Sequence, residues 1–313
     1  MKATVYQKYG SPDVLELQEV EKPSATDGEV LVRVHAASVN PLDWHFLRGT
    51  PLAVRVFSGL LKPERKILGV DVAGRVEAVG GRVKQFQPGD EVFGSSANSG
   101  AFAEYLCVPE DRVVLKPANL TYEDAAAVPV AALTALQGLR DKGKIQPGHK
   151  VLINGASGGV GTFAVQIAKS FGVEVTGVCS TRNLDMVRSI GADRVVDYSQ
   201  EDFTETGARY DLILDAVGNR SLSDYKRTLH PKGVYVAVAG ALARMLWITM
   251  TGRSRMVAMV AKPNREDMGF MKVLLETGRV RPVIDRRYPL SEVAEALGYL
   301  EEGHARGKVV ITV

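Results

Sequence analysis

The sequence predicts an α/β protein of two domains: a β-rich domain drawn from both ends of the chain and, between them, a doubly wound parallel sheet. Three observations predict it. The first third alternates short β-branched runs with Gly, Pro and Asp, the pattern of strands joined by tight turns. From Lys150 onward, short apolar runs alternate with helix-length segments, as in a parallel sheet covered on both faces. The stretch INGASGGVGTF, residues 153–163, sets four glycines in a seven-residue turn between one such strand and one such helix. At 313 residues the chain exceeds one small core and fits about two domains.

Taken in order, strands are predicted over 4–10, 14–20, 29–40, 72–80, 90–94 and 101–109, with PGD at 88–90 turning into the fifth. Before residue 120 only PLDWHFLRG, 41–49, reads as a helix. The alanine-rich segment 121–140 follows, with Thr121 as N-cap, Asp124 as its partner acid, and Pro129 interrupting or beginning a helical segment. Next come a strand at 150–156, a helix at 160–172, a strand at 173–180 and a helix at 184–192. Strands at 194–198 and 210–217, a helix at 221–229 and a strand at 233–240 complete the alternation. The last segment, 289–313, reads as a helix and a closing strand that rejoins the first domain. The expected division is 1–124 with 264–313, and 125–263.

Composition narrows the function classes. The chain is 45% hydrophobic and 24% charged, with 39 basic against 36 acidic residues, too even for nucleic-acid binding without a dense basic run. Two cysteines, Cys107 and Cys179, argue against a disulfide scaffold or a multi-thiolate metal site. The first residues lack an apolar core of signal-peptide length, so a cytoplasmic protein is expected. The most apolar region, 233–250, is cut by Arg244 and falls short of the ~20 residues of a transmembrane helix.

The glycine turn indicates the ligand. Gly155, Ala156, Ser157, Gly158, Gly159, Val160 and Gly161 follow a strand and open a helix. Glycine there permits a tight corner and lets a pyrophosphate approach the helix N-terminus. A turn built only for close helix–strand packing is the alternative. The next strand ends in Cys179-Ser180-Thr181-Arg182, without the acid that usually binds the ribose hydroxyls of NAD. Hydroxyls and a guanidinium suit a 2′-phosphate. Ser180 and Arg182, with Tyr198 beside them, therefore point to NADPH.

Several segments together resemble the medium-chain dehydrogenase/reductase superfamily, and within it the zinc-free quinone oxidoreductase (zeta-crystallin-like) branch. They are VNPLDW (39–44), LGVDVAGRVEAVG (68–80), PGDEVFG (88–94), GAFAEY (100–105), AALTAL (131–136), NGASGGVGTFAVQIAK (154–169) and GAD (191–193). The resemblance implies a GroES-like catalytic domain, a Rossmann domain, an active site in the cleft between them, and a homodimer. Asn40 stands where zinc-dependent members have a cysteine, and Gly69-Val70-Asp71 where they have Gly-His-Glu. Valine ligates no metal, so no metal site is expected; Asp71, His45 and Glu104 are a poor alternative set. The activity implied is NADPH-dependent hydride transfer to a quinone or an α,β-unsaturated carbonyl.

The same resemblance places Asn40 beside the nicotinamide ribose and Thr134 near the nicotinamide. Val217 and Gly240 are taken as further cofactor contacts, and Lys308 as a residue reaching the cofactor from the closing strand. His45 replaces a tyrosine common in the family; it either donates to the substrate oxygen or only lines the cleft. Asp43 and Asp71 are read as loop-fixing residues. The apolar segments 51–66 and 241–260 form a pocket wall, core or an interface. Two other functions compete: a zinc-free alcohol dehydrogenase or carbonyl reductase, and a non-catalytic NADPH-binding protein.

Overall fold

The computed structural model describes residues 1–96, 99–239, 248, 250 and 255–313. The chain divides into two units, one of Met1–Val130, Pro263–Glu276 and Pro282–Val313, the other of Ala131–Lys262 and Thr277–Arg281. The first boundary falls after the expected residue 124 because the short helix Tyr122–Ala126 packs on strands of the first unit.

In the first unit, β1 (Lys2–Val5) and β2 (Glu16–Glu19) form an antiparallel hairpin. The main sheet is centred on β3 (Glu29–Val39), which pairs antiparallel with β4 (Asp71–Val79). Beyond β4 lie β5 (Glu91–Ser95) and β7 (Val113–Leu115), while β6 (Tyr105–Pro109) pairs with the start of β3. The chain end returns as β15 (Lys308–Thr312), antiparallel to β3 with Val309 opposite Val39, and β14 (Ile284–Pro289) closes that edge. Val32, Val34, Val72, Leu68, Phe102 and Ile311 build the core. Helix α1 (Pro41–Arg48) leaves directly from β3, with Pro41 at its first position and Gly49 ending it at φ 59°. A short helix α2 (Ala53–Ser58) follows.

The second unit is an all-parallel sheet of β8 (Lys150–Asn154), β9 (Glu174–Cys179), β10 (Arg194–Asp197), β11 (Tyr210–Asp215), β12 (Leu229–Ala237) and β13 (Met256–Ala258). Their spatial order is β10-β9-β8-β11-β12-β13, so direction of winding reverses between β8 and β11. Ligands of doubly wound sheets bind at that switch point, beyond the strand C-termini. The predicted fold class is borne out: a GroES-like β-rich part and a Rossmann sheet. No helix among the described residues is long and apolar enough to cross a membrane.

Candidate active site

The glycine turn leaves β8 at the switch point. Gly155 sits at φ 84°, and a Cβ there would lie 2.6 Å from Val217 Cγ2; only glycine holds this corner unstrained. The amides of Gly155 and Ala156 both donate to Val178 O, at 3.1 and 2.9 Å, tying the turn to β9. A Cβ on Gly161 would stand 2.0 Å from Gly155 O, so the third glycine lets helix α5 (Gly159–Ser170) press against the turn. Gly158 is the N-cap, in extended backbone. First-turn amides of such a helix have no intrahelical acceptor, no acid stands in that turn, and its positive end favours a pyrophosphate.

Sequence reading passed over the residue that joins this turn to the tip of β9. Asn183, 4% exposed, donates through Nδ2 to Ser157 Oγ at 3.0 Å and Ser180 Oγ at 3.2 Å. Its Oδ1 is buried with no hydrogen-bond partner among the described residues. Two gathered hydroxyls and an orphaned acceptor fit the hydroxyl- and amine-bearing adenosine half of a nicotinamide dinucleotide. The spacing Ser180-x-x-Asn183 is the one sequence trace of this cradle. Arg182 is exposed, and Tyr198, half exposed, is tied to β9 by its amide on Cys179 O at 3.0 Å. Although β9 ends without an acid, Asp197 brings one to the neighbouring tip of β10. Its oxygens accept from Thr181 Oγ and Ser199 Oγ, at 2.5 and 2.7 Å, and those hydroxyls hold its carboxyl below the usual range.

Val217 reaches Gly155 because Asp215, at the end of β11, builds the turn between them. The amides of Val217 and Gly218 donate to Asp215 Oδ1 at 3.1 and 2.9 Å, as does Asn154 Nδ2 at 2.9 Å. Thr134 is buried in helix α4 (Pro129–Leu136). Gly240 lies outside the described residues, as do Trp247 and most of the apolar segment 241–260.

In the first unit, β3, β4, β15 and α1 bring Ser38, Asn40, Asp43, Asp71 and Lys308 into one buried cluster. Asn40 Nδ2 donates to Asp71 Oδ2 at 2.9 Å and to Ser38 O at 3.3 Å, while Oδ1 accepts from Lys308 Nζ at 2.6 Å. Asp71 Oδ2 also accepts from Ser38 Oγ at 2.9 Å, and Oδ1 from the Val130 amide at 3.0 Å. Every neighbour of Asp71 donates and every neighbour of Lys308 accepts, as an ionised pair requires. Burial pushes Asp71 upward and Lys308 downward from their ordinary values, and each charge opposes the other's shift. Asp43 accepts from the amides of Asn40 and Gly69, at 2.8 and 3.1 Å. Its carboxyl is pushed up to about 7, first by burial and further by Asp71.

Lys308 does not point outward to meet a ligand: it is 3% exposed, and its ammonium is committed to Asn40, Val39 O at 3.2 Å and Asp71 at 3.6 Å. A buried ammonium needs those acceptors in place of water. His45 donates from Nδ1 to Thr50 O at 2.8 Å, since a carbonyl only accepts, and its ring stacks on Trp44. Its other nitrogen is then an acceptor in the neutral ring and donates only as imidazolium. In the segment 51–66, Leu52, Val56, Leu60 and Leu61 are exposed, so these side chains are not core. Among the described residues, a cavity of about 560 Å³ lies elsewhere, lined by Met1, Val5, Gln18, Lys66, Tyr105 and Cys107 among others, and holds none of the candidate residues.

Two family models match the chain: an alcohol dehydrogenase GroES-like domain at residues 26–118 and a zinc-binding dehydrogenase at residues 190–311. The chain is 37% identical to 2-methylene-furan-3-one reductase of Solanum lycopersicum, over 99% of this chain and 79% of that protein. It is 35% identical to the chloroplastic NADPH-dependent alkenal/one oxidoreductase of Arabidopsis thaliana, over the same shares. The solved quinone oxidoreductase of Coxiella burnetii matches with TM-score 0.89 at 32% identity, covering 100% of this chain and 99% of that one. The chain belongs to the medium-chain dehydrogenase/reductase superfamily. Within that superfamily it is an oxidoreductase of the quinone oxidoreductase, zeta-crystallin-like, branch.

The zinc in one family description tests poorly on the residues present. Val70 has no ligand atom, Asn40 Oδ1 is taken by an ammonium, and Asp71 is filled by Ser38, Asn40 and Val130. A lysine charge 2.6 Å from Asn40 Oδ1 and 3.6 Å from Asp71 Oδ2 repels a dication bound there. The donor set does not fit zinc. Among this superfamily member's described residues, no three His, Cys, Asp or Glu side chains gather as a metal site elsewhere either.

Proposed function

We propose that this oxidoreductase reduces quinones or α,β-unsaturated carbonyls with NADPH and without zinc. The observation that carries the reading is the Asn40–Asp71–Lys308 cluster: its donors are engaged with one another and a lysine, a set that does not fit the metal needed to acidify an alcohol. A conjugated acceptor spreads the arriving charge onto its own oxygen and needs less help. The names of the relatives, a furanone reductase, an alkenal/one oxidoreductase and a quinone oxidoreductase, support that substrate class.

Bound NADPH supplies the hydride. The turn Gly155–Gly161 holds the pyrophosphate, and Ser180, Arg182 and Tyr198 hold the 2′-phosphate. Thr134 lies near the nicotinamide, and Val217, beside Gly155, is a further cofactor contact. The family likeness is the support for setting Asn40, whose amide is held by Asp71, Ser38 O and Lys308, beside the nicotinamide ribose. His45 either donates a hydrogen bond to the substrate oxygen or only lines the site. The same reading takes the enzyme as a homodimer, from the family likeness; a monomer mass in sedimentation would remove the dimer.

Product labelling tests the reaction. With NADPH deuterated at the transferred position, a 2-alkenal should gain deuterium at its β-carbon, read by mass spectrometry. Deuterium at the carbonyl carbon would favour a carbonyl reductase instead, and NADPH binding with no transfer to any quinone or enone would favour a non-catalytic protein.

A further inference from the structure

We infer that Asn183 is a positioning residue for the 2′-phosphate of the coenzyme, acting through the hydroxyls of Ser157 and Ser180. The inference deepens the NADPH reading above and rests on it. All three residues belong to the second unit, Ser157 in the glycine turn after β8 and Ser180 directly after β9. Those two strands are paired neighbours running the same way, so both serines come to one end of the sheet. Asn183 closes the 3-10 turn Thr181–Asn183 that follows, its backbone amide bonded to Ser180 O at 2.9 Å. The serines are half-buried whereas Asn183 is 4% exposed, so a ligand meets the hydroxyls rather than the amide that holds them.

Hydrogen-bond capacity fixes the orientation of that amide. Nδ2 carries two hydrogens, and Ser157 Oγ at 3.0 Å and Ser180 Oγ at 3.2 Å accept them. Turned over, the amide would place its two N–H groups where Oδ1 now has no partner among the described residues. Two stranded donors cost more than one stranded acceptor. Each serine oxygen therefore accepts from Asn183 and keeps its own hydrogen, which has no acceptor among the described residues. Ser180 stands at the N-cap of its turn yet makes no capping bond. Thr181 and Ser199 are the contrast, because their hydroxyls donate to Asp197, at 2.5 and 2.7 Å. An ionised phosphate oxygen only accepts, and a donor is what it requires. A ribose hydroxyl pairs with a serine in either sense. Two hydroxyls held as donors thus favour the coenzyme that bears a 2′-phosphate over the one that bears a bare diol.

The test is calorimetric titration of the full chain with NADPH and NADH, and with adenosine 2′,5′-bisphosphate and AMP, two pairs that differ only in the 2′-phosphate. The readout is the ratio of Kd values within each pair. Asn183→Leu, close in size but without the amide, should lower the preference for the phosphorylated member about three- to tenfold, and Asn183→Asp, whose carboxylate takes the serine hydrogens, about 10–100-fold, the scale of hydrogen bonds to a charged group. In S157A/S180A the preference should already be low, and adding Asn183→Leu should change it by less than about twofold. Thermal melts check folding; Asn183→Ala replaces either variant that fails to fold and should match Asn183→Leu. A preference unchanged in the folded Asn183 variants would overturn the proposal and leave Asn183 a tie between the turn and β9. So would an equal fall with and without the serines, since the effect would then bypass them. A wild type that binds both members of each pair equally would sink the NADPH reading and the proposal together, whereas a wild-type preference that the variants keep sinks the proposal alone.

Discussion

Gly158 and Gly161 lie three residues apart in one turn and fail differently when a methyl is added. At Gly161 the new carbon meets Gly155 O at 2.0 Å, whereas at Gly158 the same oxygen is 3.5 Å away, an ordinary contact. Gly161→Ala should therefore lower both Tm and NADPH affinity. Gly158→Ala should leave Tm nearly unchanged yet weaken NADPH about tenfold or more, because the lost close approach matters only to a pyrophosphate. Thermal melts with and without NADPH separate the two. Asp43 makes a second prediction at this scale. Its carboxyl lies up near 7 in the folded chain, against about 4 for a free aspartate. The folded state thus holds the proton more tightly, and the stability from this group is complete below about pH 4 and lost as pH rises through 7. The stability gap between wild type and Asp43→Asn, read by urea denaturation, should be wider at pH 5 than at pH 8; a gap independent of pH would contradict it. Lys308→Met alone should cost about 3–5 kcal/mol, the usual result of stranding one member of a buried pair, with Asp71→Asn in the same chain restoring much of it.

At the scale of elements, local chemistry explains what the sequence made legible. Thr121 and Asp124 cap the helix Tyr122–Ala126 reciprocally, and Ser221 with Asp224 does the same for Leu222–Thr228. Thr121→Ala should cost about 1 kcal/mol in a chemical denaturation midpoint. Pro129 begins α4 instead of interrupting it, since proline lacks only an amide that a first turn leaves unpaired. Less was legible where burial decides. The predicted strand 4–10 stops at Val5, because pairing with β2 ends there and Pro12 opens a 3-10 turn. Helix α2 was not foreseen within 51–66: six residues give too little periodicity to read. At the site, the glycine turn was legible because its spacing carries its geometry. The Asn183 cradle and the inward turn of Lys308 were not, since the first needs a contact with the glycine turn 26 residues earlier and the second a contact 268 residues away.

For the whole molecule, coenzyme choice and metal use are the two properties on which the proposed function turns. With no acid at the tip of β9 and an exposed guanidinium beside Ser180, Arg182→Ala should weaken NADPH about tenfold while leaving NADH nearly unaffected, as loss of a phosphate contact does. Equal loss for both coenzymes would give Arg182 a structural role, and the ionised Asp197 on the neighbouring strand would then matter more to selectivity. The central claim is that a lysine charge and a conjugated acceptor together make a metal unnecessary. Steady-state NADPH oxidation by chelator-dialysed protein, against 2-alkenals and quinones, tests it most directly. Undiminished turnover of those acceptors, unchanged by added zinc, is the predicted result; turnover that vanishes on dialysis and returns only with stoichiometric zinc would contradict it.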